Sequence, residues 1–341
     1  MNPKRAGKLF LKRHPRLMRI ARKVLGRKST ISNTPFFSLG DAFQMLVQSL
    51  ESKIPNEFDC IVGVPRAGLM FANILASAYG RPLSTPEGFV RGEIWFAGEC
   101  SFSKDFKKVL IVEDSLVTGK QLMAAVEKLK DFKPGMEVKT ASLFVKTGYN
   151  VPVDYVLIQH DCWTIGEWNL LTSLGFIGRL GVDLDGVLGE DCPTNVDDDG
   201  VLYRKWLNLA KPLLIPRFEI NAVITSRLEK YRPATEAWLK RHGVRYKELI
   251  MLDLPSAKER TFDVVVHHKA NAIRQADLEW YWESNWNEAE QIHQKTKLPI
   301  LCVSNMRLVG DPRKITPLEL ESRMQASSLM KEQETLIAVA Q

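Results

Sequence analysis

Apolar positions along the chain fall into two successive series of short runs separated by amphipathic segments. In the first series, residues 39–50 have the apolar spacing of a helix, 59–65 form a β-branched and apolar run, and 69–79 return to helical spacing. Further apolar runs at 109–112, 138–145 and 155–158 alternate with helical stretches such as 121–130. Such alternation predicts a parallel α/β sheet. A second series starts at 180–184 and continues through 222–225, 249–252, 280–282 and 300–303, with helices at 233–241 and 288–295 between them. Two series imply two sheets, joined near residues 172–179. The predicted organisation is an arm over 1–30, an α/β domain over 31–175, a second over 176–316, and a polar helix or tail over 317–341.

Composition supports this division, because 341 residues at 45% apolar content suffice for two separate cores. The five cysteines are scattered, odd in number and form no C-x-x-C pair, which argues against a disulfide framework or a zinc site. That pattern points to the reducing cytoplasm. No run of about 18 apolar residues occurs, so no membrane span is expected, and the N-terminus lacks the apolar stretch of a signal peptide.

Charge changes the picture at one end only. Eleven of the 47 Lys and Arg residues lie between Met1 and Lys28, a stretch with no acid, so the rest of the chain is slightly acidic. Within that arm Leu17, Ile20, Ala21 and Val24 recur at helical spacing among basic residues. Such a helix could lie on the anionic surface of the inner membrane or dock on a synthase partner. Nucleic-acid binding would use the same charges and is the weaker reading. A mitochondrial-type transit peptide is a further alternative, against which the arm is short of Ser.

The first candidate chemistry lies at Val109-Leu-Ile-Val-Glu113-Asp114-Ser115-Leu-Val117-Thr118-Gly119-Lys120-Gln121, where two acids follow a strand and a small-residue turn opens a helix. Ligands bind at that end of an α/β sheet. Backbone N–H groups and the Thr118 hydroxyl could cradle a phosphate while Glu113 and Asp114 hold sugar hydroxyls. The bland alternative is that the acids only cap the helix. The segment resembles the phosphoribosyl-pyrophosphate motif of type I phosphoribosyltransferases, over roughly residues 35–170. By that resemblance Ser115, Val117, Thr118, Gly119, Lys120 and Gln121 would hold the 5-phosphate, with Gln121 standing where the family carries Ser or Thr. Arg66, Ala67 and Gly68 would grip pyrophosphate, and residues 89–104 would form a flexible hood with Arg91 as a charge donor.

The second lies at Leu180-Gly-Val-Asp183-Leu-Asp185-Gly186-Val187. Two aspartates two residues apart at a strand end emerge on one face, where one carboxylate can attack phosphorus and the other can serve as acid and base. This resembles motif I of the haloacid dehalogenase superfamily, and the resemblance implies a Rossmann-like parallel sheet with a small cap insertion. Thr225 would bind the transferring phosphoryl group, preferred over Ser226, and Lys269 would steady the phosphate, with Lys258 as its rival. Mg²⁺ would be held by Asp183, Asp185 and Glu283, although Asn285 and Asn287 stand where a second acid is common.

Two tempting clusters carry less. The Asp197-Asp198-Asp199-Gly200 stretch lacks the closing Glu of a calcium loop, and His267 and His268 lack a third ligand at useful spacing. Taken together, the resemblances imply transfer of a 5-phosphoribosyl unit from phosphoribosyl pyrophosphate to an acceptor, expected to be a glycan as in ribofuranosyltransfer modules of bacterial polysaccharide synthesis. Removal of the 5-phosphate would follow. A nucleobase acceptor is the enzyme alternative. A phosphoribosyl-pyrophosphate-sensing regulator that binds nucleic acid through the arm is the alternative from another class.

Overall fold

The computed structural model describes residues 36–96, 105–116, 118–148, 152–160, 164–172, 179–197 and 199–310. The predicted basic arm, Val117, Asp198, residues 97–104 of the expected hood and the C-terminal tail lie outside the described residues.

The first half runs β1 (Phe36–Phe37), α1 (Leu39–Gln48), β2 (Cys60–Gly63), α2 (Ala67–Tyr79), β3 (Leu83–Ser84), α3 (Pro86–Arg91), β4 (Lys108–Leu116), α4 (Lys120–Phe132), β5 (Glu137–Lys146), β6 (Tyr155–His160) and β7 (Ile165–Gly166). Five of these strands form a parallel sheet in the order β3-β2-β4-β5-β6. Two of the helices, α1 and α3, start where a side chain satisfies their free N–H groups. Ser38 caps α1 in a capping box with Asp41, and Thr85 caps α3 with Pro86 in its first turn, each worth about 1 kcal/mol.

The second half runs β8 (Leu180–Val182), α5 (Val201–Leu209), β9 (Ile220–Leu228), α6 (Arg232–Arg241), β10 (Tyr246–Leu252), α7 (Phe262–Gln275), β11 (Trp280–Glu283), α8 (Trp286–Thr296), β12 (Ile300–Cys302) and β13 (Arg307–Val309). Its six-stranded sheet has the order β10-β9-β8-β11-β12-β13, parallel except for the final pair. Trp280, Tyr281 and Trp282, consecutive in β11, are all fully buried.

β1 and β7 pair with each other in a short parallel ribbon outside both sheets. Successive strand residues face opposite ways, and here that separates two adjacent rings. Phe37 packs in the core under the first sheet with Phe71 and Phe144, whereas Phe36 packs in the core of the second sheet with Val182 and Trp282. Ile165 and Leu170 join Phe36 there.

The expected hood is corrected at its near end. Residues 86–91 are helical, and Phe89 is buried against Phe106 and Phe132, because its ring has more to gain from apolar cover than a mobile loop allows. Arg91 pairs with Glu93 on the surface, 2.6 Å apart.

Candidate functional site

The acids of the first site sit at the centre of its sheet. β4 does not stop at the apolar run; it continues to Leu116, with Glu113 opposite Ser142 and Ser115 opposite Phe144 in β5. The last rungs of a central strand therefore fix both carboxylates. Glu113 is buried and Asp114 half-buried. Burial, reinforced by the neighbouring Asp114 charge, pushes Glu113 up to about 8. Burial also raises Asp114, opposed by the Trp168 indole, whose Nε1 donates to Asp114 Oδ2 at 3.0 Å.

Arg66, exposed, precedes α2, and the Pro65–Arg66 peptide is cis. Gly68 lets the start of α2 press against β4. A Cβ there would stand 2.6 Å from the Val112 carbonyl and 3.0 Å from Glu113 Cα, so only glycine allows the two loops this close. Thr118 is exposed in the turn after β4, with its Oγ1 accepting from Lys120 N at 3.4 Å. Gly119, at φ 65°, takes the left-handed conformation that lets α4 begin at Lys120, and Gln121 lies exposed in its first turn. The acid pair, the Thr118–Gly119 turn and the Arg66–Gly68 loop expected from the sequence thus share the C-terminal edge of β2 and β4. A shallow cavity of about 400 Å³ adjoins Arg66, lined by Leu69, Met70, Asn73, Leu83 and Trp95.

Residues 39–172 match the phosphoribosyl transferase domain family. This stretch of the chain is similar to that family. The chain is 30% identical over 113 residues to an orotate phosphoribosyltransferase from Pyrobaculum aerophilum, covering 32% of this chain and 55% of the relative. It is 31% identical over 109 residues to the orotate phosphoribosyltransferase of Sulfolobus acidocaldarius, covering 31% and 52%. It thus spans about half the length of the curated relatives it matches. Among solved structures, a purine phosphoribosyltransferase from Pyrococcus horikoshii is 24% identical, with coverage of 39% and 92% and a TM-score of 0.30.

Beyond the matched residues, β8, β9 and β11 bring together the residues of the second constellation. Asp183 follows β8, buried, with Oδ1 accepting from Leu184 N at 2.7 Å. Lys269, on α7, is also buried, and its Nζ donates to Asp183 at 2.7 Å, to Glu283 at 2.8 Å and to Glu288 at 2.7 Å. Burial works against the ammonium, and the Asp183 and Glu283 charges more than offset it, so Lys269 holds its proton well above the ordinary lysine range. Burial likewise lifts Asp183 well above the ordinary carboxylate range, with the Lys269 charge opposing. Lys258 lies in a separate turn over Ala257–Glu259; Lys269 is the lysine that reaches Asp183. Thr225 is buried at the same end of β9, its Oγ1 accepting from Arg227 N at 3.2 Å.

Two residues of this second cluster escaped the sequence reading. Glu288 is a further acid of the cluster, reached by Lys269, whereas Asn285 caps α8, accepting from Asn287 N and Glu288 N at 2.9 and 3.2 Å. The capped helix then delivers Glu288 five residues after Glu283; an acid at helical reach beyond the strand was the available signal. Arg227 is fully buried and holds Asp185, with Nε donating to Oδ2 at 2.9 Å and Nη2 to Oδ1. Its guanidinium lies 5.0 Å from the Trp206 ring, and its Nη1 has no partner among the described residues. The two histidines are occupied by backbone oxygens, His267 with Asp263 and His268 with Thr225.

Oxygen-only donors around Asp183, Glu283 and Glu288 suit a hard cation such as Mg²⁺. Among the described residues, however, no group of three or more His, Cys, Asp or Glu forms a ready metal site, since the Lys269 ammonium occupies the point where the carboxylates converge. Among the described residues no helix is long and apolar enough to cross a membrane.

Proposed function

We propose that the first domain binds phosphoribosyl pyrophosphate and transfers its 5-phosphoribosyl group to a nucleobase-type acceptor, and that the second domain removes the 5-phosphate. The observation that carries this reading is the Glu113–Asp114 pair on the last rungs of β4, beside the Thr118–Gly119 turn and the Arg66–Gly68 loop. Polyol hydroxyls fit the acids, a 5-phosphate fits the turn at the α4 N-terminus, and pyrophosphate fits the loop that carries Arg66. The acceptor displaces pyrophosphate from C1 through an oxocarbenium-like state. Mg²⁺, when bound with the substrate, supplies neutralising charge for the leaving pyrophosphate. The match to orotate phosphoribosyltransferases supports a nitrogen heterocycle in preference to the glycan expected from the pairing of domains.

The phosphatase reading rests on Asp183, Asp185, Thr225 and Lys269 converging at one sheet edge, an arrangement similar to haloacid dehalogenase phosphatases. Asp183 would attack the phosphorus atom, Asp185 would protonate the leaving oxygen and then activate water, and Lys269 and Thr225 would hold the phosphoryl oxygens. Mg²⁺ at Asp183, Glu283 and the Asp185 carbonyl would supply charge stabilisation at the phosphoryl group once Lys269 turned from these acids to the substrate.

The test is mass spectrometry of products from phosphoribosyl pyrophosphate, Mg²⁺ and a panel of nucleobases, with wild type and Asp183→Asn compared. A nucleoside from wild type and its 5-phosphate from the variant are expected. Pyrophosphate release with no base in the panel would overturn the transferase reading, and identical products from both proteins would overturn the phosphatase reading.

A further inference from the structure

Trp168 sits in the turn Glu167–Asn169, 54 residues from the carboxylate it contacts, outside both the Arg66–Gly68 loop and the segment 109–121. Its ring is wedged in place, edge-on to Phe71 at 5.0 Å and 81°, and parallel to Phe144 at 6.0 Å and 13°. Gly166 makes room for it, because a Cβ at that position would stand 2.3 Å from the indole. Glu167 ties the same turn to the start of α1 by accepting from Leu39 N at 2.8 Å. On either side of the indole, Ile165 and Leu170 are buried in the core of the second sheet, and Leu171 accepts from Arg217 N at 2.9 Å. The segment is therefore a strap with both feet in the second domain and one side chain in the first domain's site.

We propose that Trp168 is a positioning residue that fixes Asp114 for the ribose hydroxyls, seated by a strap anchored in the second core. This rests on the reading of the Glu113–Asp114 pair as the ribose-binding acids. A carboxylate free to rotate presents its lone pairs in many directions, whereas one oxygen held by a rigid indole N–H leaves the other aimed along one line. Binding then loses less torsional freedom. Here the Trp168 indole holds Oδ2, beside the hydrogen bonds that Asp114 makes with the Glu113 side chain and the Ser115 backbone.

Isothermal titration of the full chain with Mg²⁺ and phosphoribosyl pyrophosphate tests the proposal on wild type, Trp168→Phe, Trp168→His, Asp114→Asn and the double variant Trp168→Phe/Asp114→Asn. Trp168→Phe keeps an aromatic ring and removes the donor; its Kd is expected to rise about tenfold, the scale of one hydrogen bond to a charged group. Trp168→His retains a ring N–H and should bind more tightly than Trp168→Phe. In the Asp114→Asn background Trp168→Phe should cost little more, because its effect runs through that carboxylate. Equal affinity for wild type and Trp168→Phe, equal losses in Phe and His, or additive losses in the double variant would each overturn the proposal. A wild type with no affinity for phosphoribosyl pyrophosphate would instead strike at the site reading beneath it.

Discussion

Lys269 Nζ lies 2.7 Å from Asp183 Oδ2, a contact between residues 86 apart that joins α7 to the end of β8. The same ammonium serves Glu283 and Glu288, so one buried cation offsets part of the charge of three carboxyl groups. Replacing Lys269 by Met leaves that charge uncompensated in the interior, a loss of about 3–5 kcal/mol. Urea denaturation should show it, and adding Glu288→Gln should recover part of the loss. An unchanged midpoint for Lys269→Met would mean the three acids are not charged together.

Arg227 holds Asp185 by two donors, and that clamp sets the direction in which the acid faces. Arg227→Met should reduce phosphate release from a ribose 5-phosphate ester at least tenfold, on the scale of one lost charged hydrogen-bond pair. Affinity for phosphoribosyl pyrophosphate should stay as in wild type, because Arg227 belongs to the other sheet. Parallel loss of both properties would show general unfolding instead.

Glu113 is predicted to make the fold less stable as pH rises. Its folded value of about 8 stands above the ordinary 4.5, so the folded state binds its proton more tightly than the unfolded chain does. Its contribution is complete below about pH 4.5, declines as pH rises, and is gone above about pH 8. Denaturation of wild type and Glu113→Gln across that window should show the gap between them shifting in favour of the variant with increasing pH. A gap that stays constant would remove the raised carboxyl from the account.

Gly68→Ala should damage the first site without replacing either of its acids. The added methyl meets the Val112 carbonyl, which is backbone and cannot rotate aside, so α2 or the end of β4 must shift. Overpacking of this kind costs about 1–3 kcal/mol. Thermal melting and a phosphoribosyl pyrophosphate titration should both report the change, the affinity falling even at temperatures where the variant is folded.

The sheets were legible because their strands are apolar runs long enough to show a period, and the acid pair because its thirteen residues are contiguous. β1 and β7 have two residues each, below the length at which alternation can be read. Trp168 and Arg227 were hidden for another reason. Each acts on a carboxylate 54 or 42 positions away, and only the packed chain brings them together. Glu288 was obscured by the Asn285 cap, since a side chain spent on backbone N–H groups reads in sequence as a missing acid. The hood expectation treated residues 89–104 as one loop, whereas Phe89 obeys its hydrophobicity and belongs to the core.

Phe36 and Phe37 are covalent neighbours that serve different interiors. Inserting or deleting one residue in that ribbon would exchange the two rings and seat neither, so length changes here should be far less tolerated than in ordinary connecting segments. The same pair bears on any attempt to divide the protein into halves. A cut near residue 175 would carry Phe36, Ile165 and Leu170 away with the first half, leaving three apolar side chains in water and three gaps in the piece left behind. The polypeptide passes from one domain to the other after residue 172, yet the interior of the second begins at residue 36.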